Sequence, residues 1–426
     1  MDDRLSTISK QGQRERQASY QVLLNELFQG PASPSDFRTF LAAVVNDSAG
    51  TLLTRAILQS FVDGLEKIGD PANKAEIIKE SLVAVTGPSF EEQTTALRLK
   101  LADYYENNEE WTEAAKVLQA IPLESGHRTF SDVERLDIYI RIVRLLLEDD
   151  DTVSAEGFHN RAALLINSTD NKETHLKYKL NHAKILDSRR KFVEAGLRYH
   201  EISFVGELAE SDRDLALSAA LNCAVLSPAG PARSRLLAAL YRDERTKVLA
   251  HSNILSKMFL DHIIAPSELS GFAATLQPHQ MARVAASAPI RGFEDEEEEG
   301  KKGPETLLDK AVMEHNLLSA SRIYNNISFG GVGLLLGLKP SAAEQMARRM
   351  VQEGRLKASI DQVDRIIMFE PMGVGTEGMV SNVAAKHGEE GEEEELGARE
   401  TKRWDLQIRK TANSVSRSPV GGGIGY

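Results

Sequence analysis

The sequence predicts a mostly α-helical chain: a right-handed solenoid of helical repeats leading into a small module of three helices and an antiparallel β-hairpin. Three observations predict it. Helix signals succeed one another from Gln13 to Leu276, a motif centred on alanine recurs in the first half, and strand alternation enters only between Arg355 and Phe369, directly after a helix with its own start and stop signals.

From Gln13 to Val85, short helices are punctuated by Pro31, Pro34, Gly50, Gly69 and Pro71, with a first apolar stripe at Tyr20, Leu23, Leu24, Leu27 and Phe28. Beyond Phe90 the helices become paired and self-similar. Ala114, Ala155 and Ala195, 41 and 40 residues apart, sit in related settings that open at Trp111, Thr152 and Phe192. The preceding helices carry matching faces: Leu99, Ala102 and Tyr105, then Tyr139, Ile142, Val143 and Leu146, then Ala183 and Leu186. Small residues let paired helices approach closely, and each repeat buries its face only against a neighbour. The array is tetratricopeptide-like with a longer period, and Trp111, Tyr105 and Phe192 read as repeat core rather than a ligand cage. Ser211 to Asp214 is read as a cap for a helix from Leu215 to Leu226, broken by Ser227-Pro-Ala-Gly-Pro231. Helices follow over Arg233–Leu240, Thr246–Phe259 and Pro266–Leu276. Ala285 to Gly303 then contains FEDEEEEGKK, too charged to bury and read as a disordered insertion.

In the terminal module, Leu308, Ala311, Val312 and His315 mark an amphipathic helix, and Val332 to Leu338 a short one closed by Gly337. Phe329-Gly330-Gly331 is expected to fray its start, at about 1 kcal/mol per glycine. Ser341 and Glu344 are spaced as a capping box, and Ala343, Met346, Ala347, Met350 and Val351 share one face of a helix ending at Gly354. Leu356, Ala358 and Ile360 then alternate with polar residues, Asp361 to Asp364 turns, and Arg365 to Phe369 forms the second strand. Three helices and a hairpin in this order make a winged helix. Past Glu370 the reading is acidic and glycine-rich disorder, interrupted by an amphipathic helix near residues 398–414 with Trp404 and Ile408 on one face. The expected domains are residues 1–90, 91–284, 285–304, 305–370 and 371–426.

Composition removes several function classes. A net charge of −12 disfavours nonspecific binding to nucleic acid or anionic lipid. On the winged helix, Arg348, Arg349, Arg355 and Lys357 are interleaved with Glu344, Glu353, Asp361 and Asp364, so counterion release on DNA would be small. No apolar run approaches bilayer length and the polar first 16 residues lack a signal-peptide core, so the expected location is intracellular. Cys223 falls in an apolar helix pattern, as a buried thiol with no partner base. His175 and His182 are the histidines closest to zinc spacing, and no Cys or further His completes a set. Gly331-Val-Gly333 lacks the parallel-strand unit of a dinucleotide site. The acidic runs lie in solvated segments that cannot hold catalytic carboxylates in fixed geometry. The chain reads as a non-enzyme without cofactor or metal.

Helical repeats running into a terminal winged helix resemble the PCI-domain family, shared by the proteasome lid, the COP9 signalosome and a translation initiation factor. Residues 145–151 (LLLEDDD), 227–238 running on to Asp243-Glu-Arg245, 309–321 (DKAVMEHNLLSAS) with Tyr324 to Ile327, and the wing at Ser359 to Asp364 are similar to the subunit-four family of the signalosome. What the resemblance implies is a non-catalytic scaffold in a complex that removes a ubiquitin-like modifier from cullin-RING ligases, its isopeptidase lying on another chain, in cytoplasm and nucleus. The repeats would contact the ligase, and the winged helix would add its sheet edge to other PCI subunits. The interface residues expected are Arg365, Ile367 and Phe369 on the last strand, with Leu356 and Ile360 beneath it. Trp404 and Ile408 would start a tail helix of the kind that joins a bundle of subunits. A proteasome-lid scaffold and a nucleic-acid or translation-factor adaptor are the alternatives.

Overall fold

The computed structural model describes residues 2–8, 12–30, 33–47, 50–124, 130–283 and 303–370. Residues 285–302 of the expected insertion over 285–304, and the tail with Trp404 and Ile408, lie outside them. The chain begins with five helices, α1 (Asp2–Ile8), α2 (Gln13–Gln29), α3 (Pro34–Val45), α4 (Thr51–Gly64) and α5 (Pro71–Ala84). Leu5 and Ile8 of α1 join the core, although the N-terminus reads as polar overall. Paired helices follow: α6 (Glu91–Asn107) with α7 (Trp111–Gln119), α8 (Asp132–Glu148) with α9 (Thr152–Leu165), and α10 (Lys172–Ser188) with α11 (Phe192–Ser203).

The repeat is legible in the backbone. Ala114, Ala155 and Ala195 are all fully buried. At each turn between paired helices one residue takes the left-handed conformation: Glu109 at φ 60°, Asp150 at φ 60° and Arg190 at φ 62°. The next amide reaches back five positions, from Glu110 to the Tyr105 carbonyl, from Asp151 to Leu146 and from Lys191 to Leu186, each at 2.9 Å. This is the Schellman closure of a helix C-terminus, here made without glycine.

Helices α12 (Glu210–Leu226), α13 (Pro231–Arg242), α14 (Ser252–Phe259) and α15 (Pro266–Ala273) complete the arm. Helix α12 starts before the expected cap, at Glu210 with Ala209 as N-cap and no side-chain cap bond, so Ser211 to Asp214 lie inside its first turns. The stretch from Thr246 to Phe259 is two elements rather than one, a 3-10 turn over Glu244–Val248 and then α14.

The terminal module comprises α16 (Leu307–Ile323), β1 (Asn326–Ser328), α17 (Phe329–Leu336), α18 (Pro340–Gln352), β2 (Ala358–Asp361) and β3 (Ile366–Phe369). A capping box of Thr306 and Asp309 opens α16. Helix α17 is intact from Phe329, because the Ser328 side chain accepts from the Gly331 amide at its start and left-handed Gly337, φ 69°, closes it. The expected fraying is therefore corrected. Helix α18 starts at Pro340 with Lys339 as N-cap and no side-chain cap bond. Glu344 does not reach back to Ser341: it is buried and accepts from Arg348 and Gln362, each at 2.6 Å. Among the described residues three hydrophobic cores follow one another along the chain, one from Leu5 to Ile185, a second from Ala183 to Val312 and a third in the winged helix, which Ala229 of the α12–α13 turn joins.

Candidate protein-interaction site

The sheet has the order β1-β3-β2, so the last strand is its centre. The hairpin was legible in the sequence; the three-residue β1 was not, because Asn326-Ile-Ser328 is too short to show alternation. Ile367 pairs with Ile327 on one side and Ile360 on the other. This corrects the expectation that the last strand supplies an edge, since both rows of its backbone groups are already paired.

Among the described residues the open edges are β1 and β2, and the register says which groups they offer. Phe369 donates to the Asn325 carbonyl and Phe329 to that of Arg365, so the backbone groups of Asn325, Ile327 and Phe329 face β3. By alternation, those of Asn326 and Ser328 point outward. Glu370 donates to the Lys357 carbonyl, which turns the groups of Ala358 and Ile360 outward on the other side. The two edges differ in their surroundings. Ile323 (63% exposed), Tyr324 (46%) and Met368 (45%) lie beside β1, an apolar fringe along a polar ladder. At β2 the flanking Lys357, Gln362 and Asp364 are exposed and charged or polar, with Val363 exposed singly among them in the turn, and charged flanks of this kind discourage pairing.

The expected interface residues divide accordingly. Ile367, Phe369 and Leu356 are buried and pack with Phe329, Val332 and Met350 beneath the sheet. Ile360 is half-buried at the β2 edge, and Arg365, at φ 55°, is exposed in the turn before β3. Sequence reasoning missed β1 and its apolar fringe.

It also missed a buried polar joint between arm and module, built from stretches 227–238 and 309–321. Asn316 clasps Ile264, accepting from its amide at 2.9 Å and donating to its carbonyl at 3.0 Å. His315, fully buried, lies 2.9 Å through Nε2 from the His262 carbonyl, while its Nδ1 lies 3.4 Å from the Arg233 guanidinium. Nε2 is then the protonated nitrogen and Nδ1 the acceptor. Burial, and then the nearby Arg233 charge, push the His315 pKa down to about 4. Glu314 is buried and held by a two-pronged pair with Arg355, which also grips Glu353. The signal was present as three polar residues in succession, Glu314-His-Asn316, inside an apolar helix. Their partners lie too far along the chain for spacing to reveal.

Among the described residues no cluster of His, Cys, Asp and Glu has metal-site geometry, and no helix is long and apolar enough to cross a membrane. Cys223 is a free, buried thiol whose pKa burial raises well above its usual value. The geometry offers surfaces for protein contact.

Comparison with known proteins points the same way. The family described as PSMD12/CSN4, N-terminal, matches residues 2–211, and the PCI domain matches residues 303–371. Subunit 4 of the COP9 signalosome complex from Emericella nidulans is 38% identical, over 93% of this chain and 91% of its own length. The Drosophila melanogaster subunit 4 is 41% identical over 85% of each chain, and that of Arabidopsis thaliana 39% identical over 87% of this chain and 91% of its own. With relatives this similar over most of its length, and with helical repeats ending in a PCI winged helix, the chain belongs to the family of COP9 signalosome complex subunit 4.

Proposed function

We propose that the chain is a non-catalytic scaffold whose β1 edge receives a strand from a neighbouring PCI subunit. The supporting observation is the open edge itself: outward backbone groups at Asn326 and Ser328 beside exposed Ile323, Tyr324 and Met368. Main-chain pairing supplies affinity and the apolar fringe supplies selectivity. Ile367, Phe369 and Leu356 act indirectly, by holding the sheet against α17 and α18, while Ile360 and Arg365 border the second edge. In this reading the isopeptidase that removes the ubiquitin-like modifier from cullins belongs to another chain, the repeat arm contacts the cullin-RING ligase, and the complex works in cytoplasm and nucleus.

The test is affinity purification of the tagged full-length chain from its native cell, with identification of partners, a cullin deconjugation assay and cell fractionation. Proline tolerates an edge position whose amide points outward but blocks pairing there. Asn326→Pro should keep the melting temperature within a few degrees and lose a PCI-domain partner; Ile360→Pro should spare that partner. Recovery of an unchanged partner set with Asn326→Pro would overturn the edge assignment. Recovery without deconjugating activity would overturn the signalosome role.

A further inference from the structure

The joint between arm and winged helix contains a buried charge with no direct ion pair among the described residues. Arg233, 3% exposed, sits in the first turn of α13. Its guanidinium lies 3.4 Å from the Ser227 carbonyl, where α12 ends, and 3.4 Å from His315 Nδ1, and its Nε has no partner. Both contacts are long and both acceptors are neutral. Glu314 and Asp261 favour its charge only at longer range, since their direct partners are Arg355 and Arg322. A buried cation served this poorly contributes little to stability, and apolar replacements of such groups are often neutral or stabilising. What Arg233 does contribute is direction: it joins the C-terminus of α12, the start of α13 and the middle of α16 at one point, and its planar fork fixes angles that apolar packing leaves open.

We infer that Arg233 is a positioning residue: with His315 it fixes the orientation of the winged helix on the repeat arm, at no gain in fold stability, so that the open sheet edge is presented at one angle. The inference rests on the scaffold reading only for its consequence in assembly. The orientation itself is a property of the isolated full-length chain.

The experiment uses spin labels at Lys177→Cys on the arm and Gln352→Cys on the module, both exposed positions, with Cys223 left buried. Pulsed electron-electron resonance gives the distance distribution, and thermal unfolding gives stability. Arg233→Met and the double variant Arg233→Met with His315→Phe should both melt within a few degrees of the parent. Their distance distributions should broaden clearly, and Arg233→Lys, which cannot fork to two acceptors, should broaden as well. A distribution as narrow as the parent's in both Met variants would overturn the inference. So would loss of the folded state in both, since the joint would then be a stability element. If the distributions broaden and yet the unlabelled variants assemble as the parent does, the positioning role in assembly falls. Failure of the parent to assemble at all would sink the scaffold reading and leave the orientation result standing.

Discussion

Two kinds of side chain carry measurable cost. The left-handed residues that close the repeat turns are not glycine, and a side chain there costs about 1 kcal/mol or more. Arg190 is exposed and its side chain makes no bond among the described residues, so Arg190→Gly should stabilise by about 1 kcal/mol, read as a rise of a few degrees in melting temperature. Asp150→Gly should gain less, because aspartate tolerates this conformation better than arginine. Buried imidazoles act in the opposite sense. His159 stacks on Tyr178 at 4.3 Å and His182 at 5.0 Å, and burial, then the neighbouring His182, push its pKa down to about 4. His315 is pushed to the same region. Unfolded histidine takes a proton near pH 6.5, so the unfolded chain binds more protons below that point. Stability is therefore full above pH 6.5 and falls as pH drops toward 4, by roughly 2–3 kcal/mol per histidine at the acid end. Denaturant titrations at several pH values should show His159→Gln with a shallower acid decline than the parent.

At the scale of elements, glycines in α17 separate packing from propensity. A Cβ on Gly330 would meet open space, whereas one on Gly333 would lie 2.7 Å from the Leu338 carbonyl oxygen. Gly330→Ala should stabilise by up to about 1 kcal/mol, and Gly333→Ala should destabilise by about 1–3 kcal/mol, both read by chemical denaturation. The start of the helix resists fraying because Ser328 caps it, and Gly333 lets the chain turn back closely at the other end. Much of this module was legible in the sequence: the strand alternation from Leu356, the turn at Asp361 and the stop at Gly354 are local signals. What was not legible depends on distant partners. Glu344 has capping-box spacing from Ser341, yet Arg348 and Gln362 claim its carboxylate, and β1 becomes a strand only because β3 lies beside it. The joint pairs Arg233 with His315 and Glu314 with Arg355, separations of 82 and 41 residues that no periodicity encodes.

On the scale of the whole molecule, the succession of three cores determines how damage spreads. In a repeat array each unit contacts only its neighbours, so a defect in one core need not reach the next. Leu58 is fully buried in the first core and Ile367 in the third. Leu58→Ala should cost about 2–5 kcal/mol locally, from lost transfer energy and the cavity left behind. If the arm unfolds by segments, that loss will appear as faster hydrogen exchange over α3, α4 and α5, while the amides of β3 keep parental protection to within about 0.5 kcal/mol. Uniformly faster exchange through β3 would instead mean that the three cores unfold as one unit. That outcome would make a hinge between them untenable and would require the arm and winged helix to answer a bound partner as a single body, whereas segmental loss would leave the arm free to yield while the sheet edge stays folded.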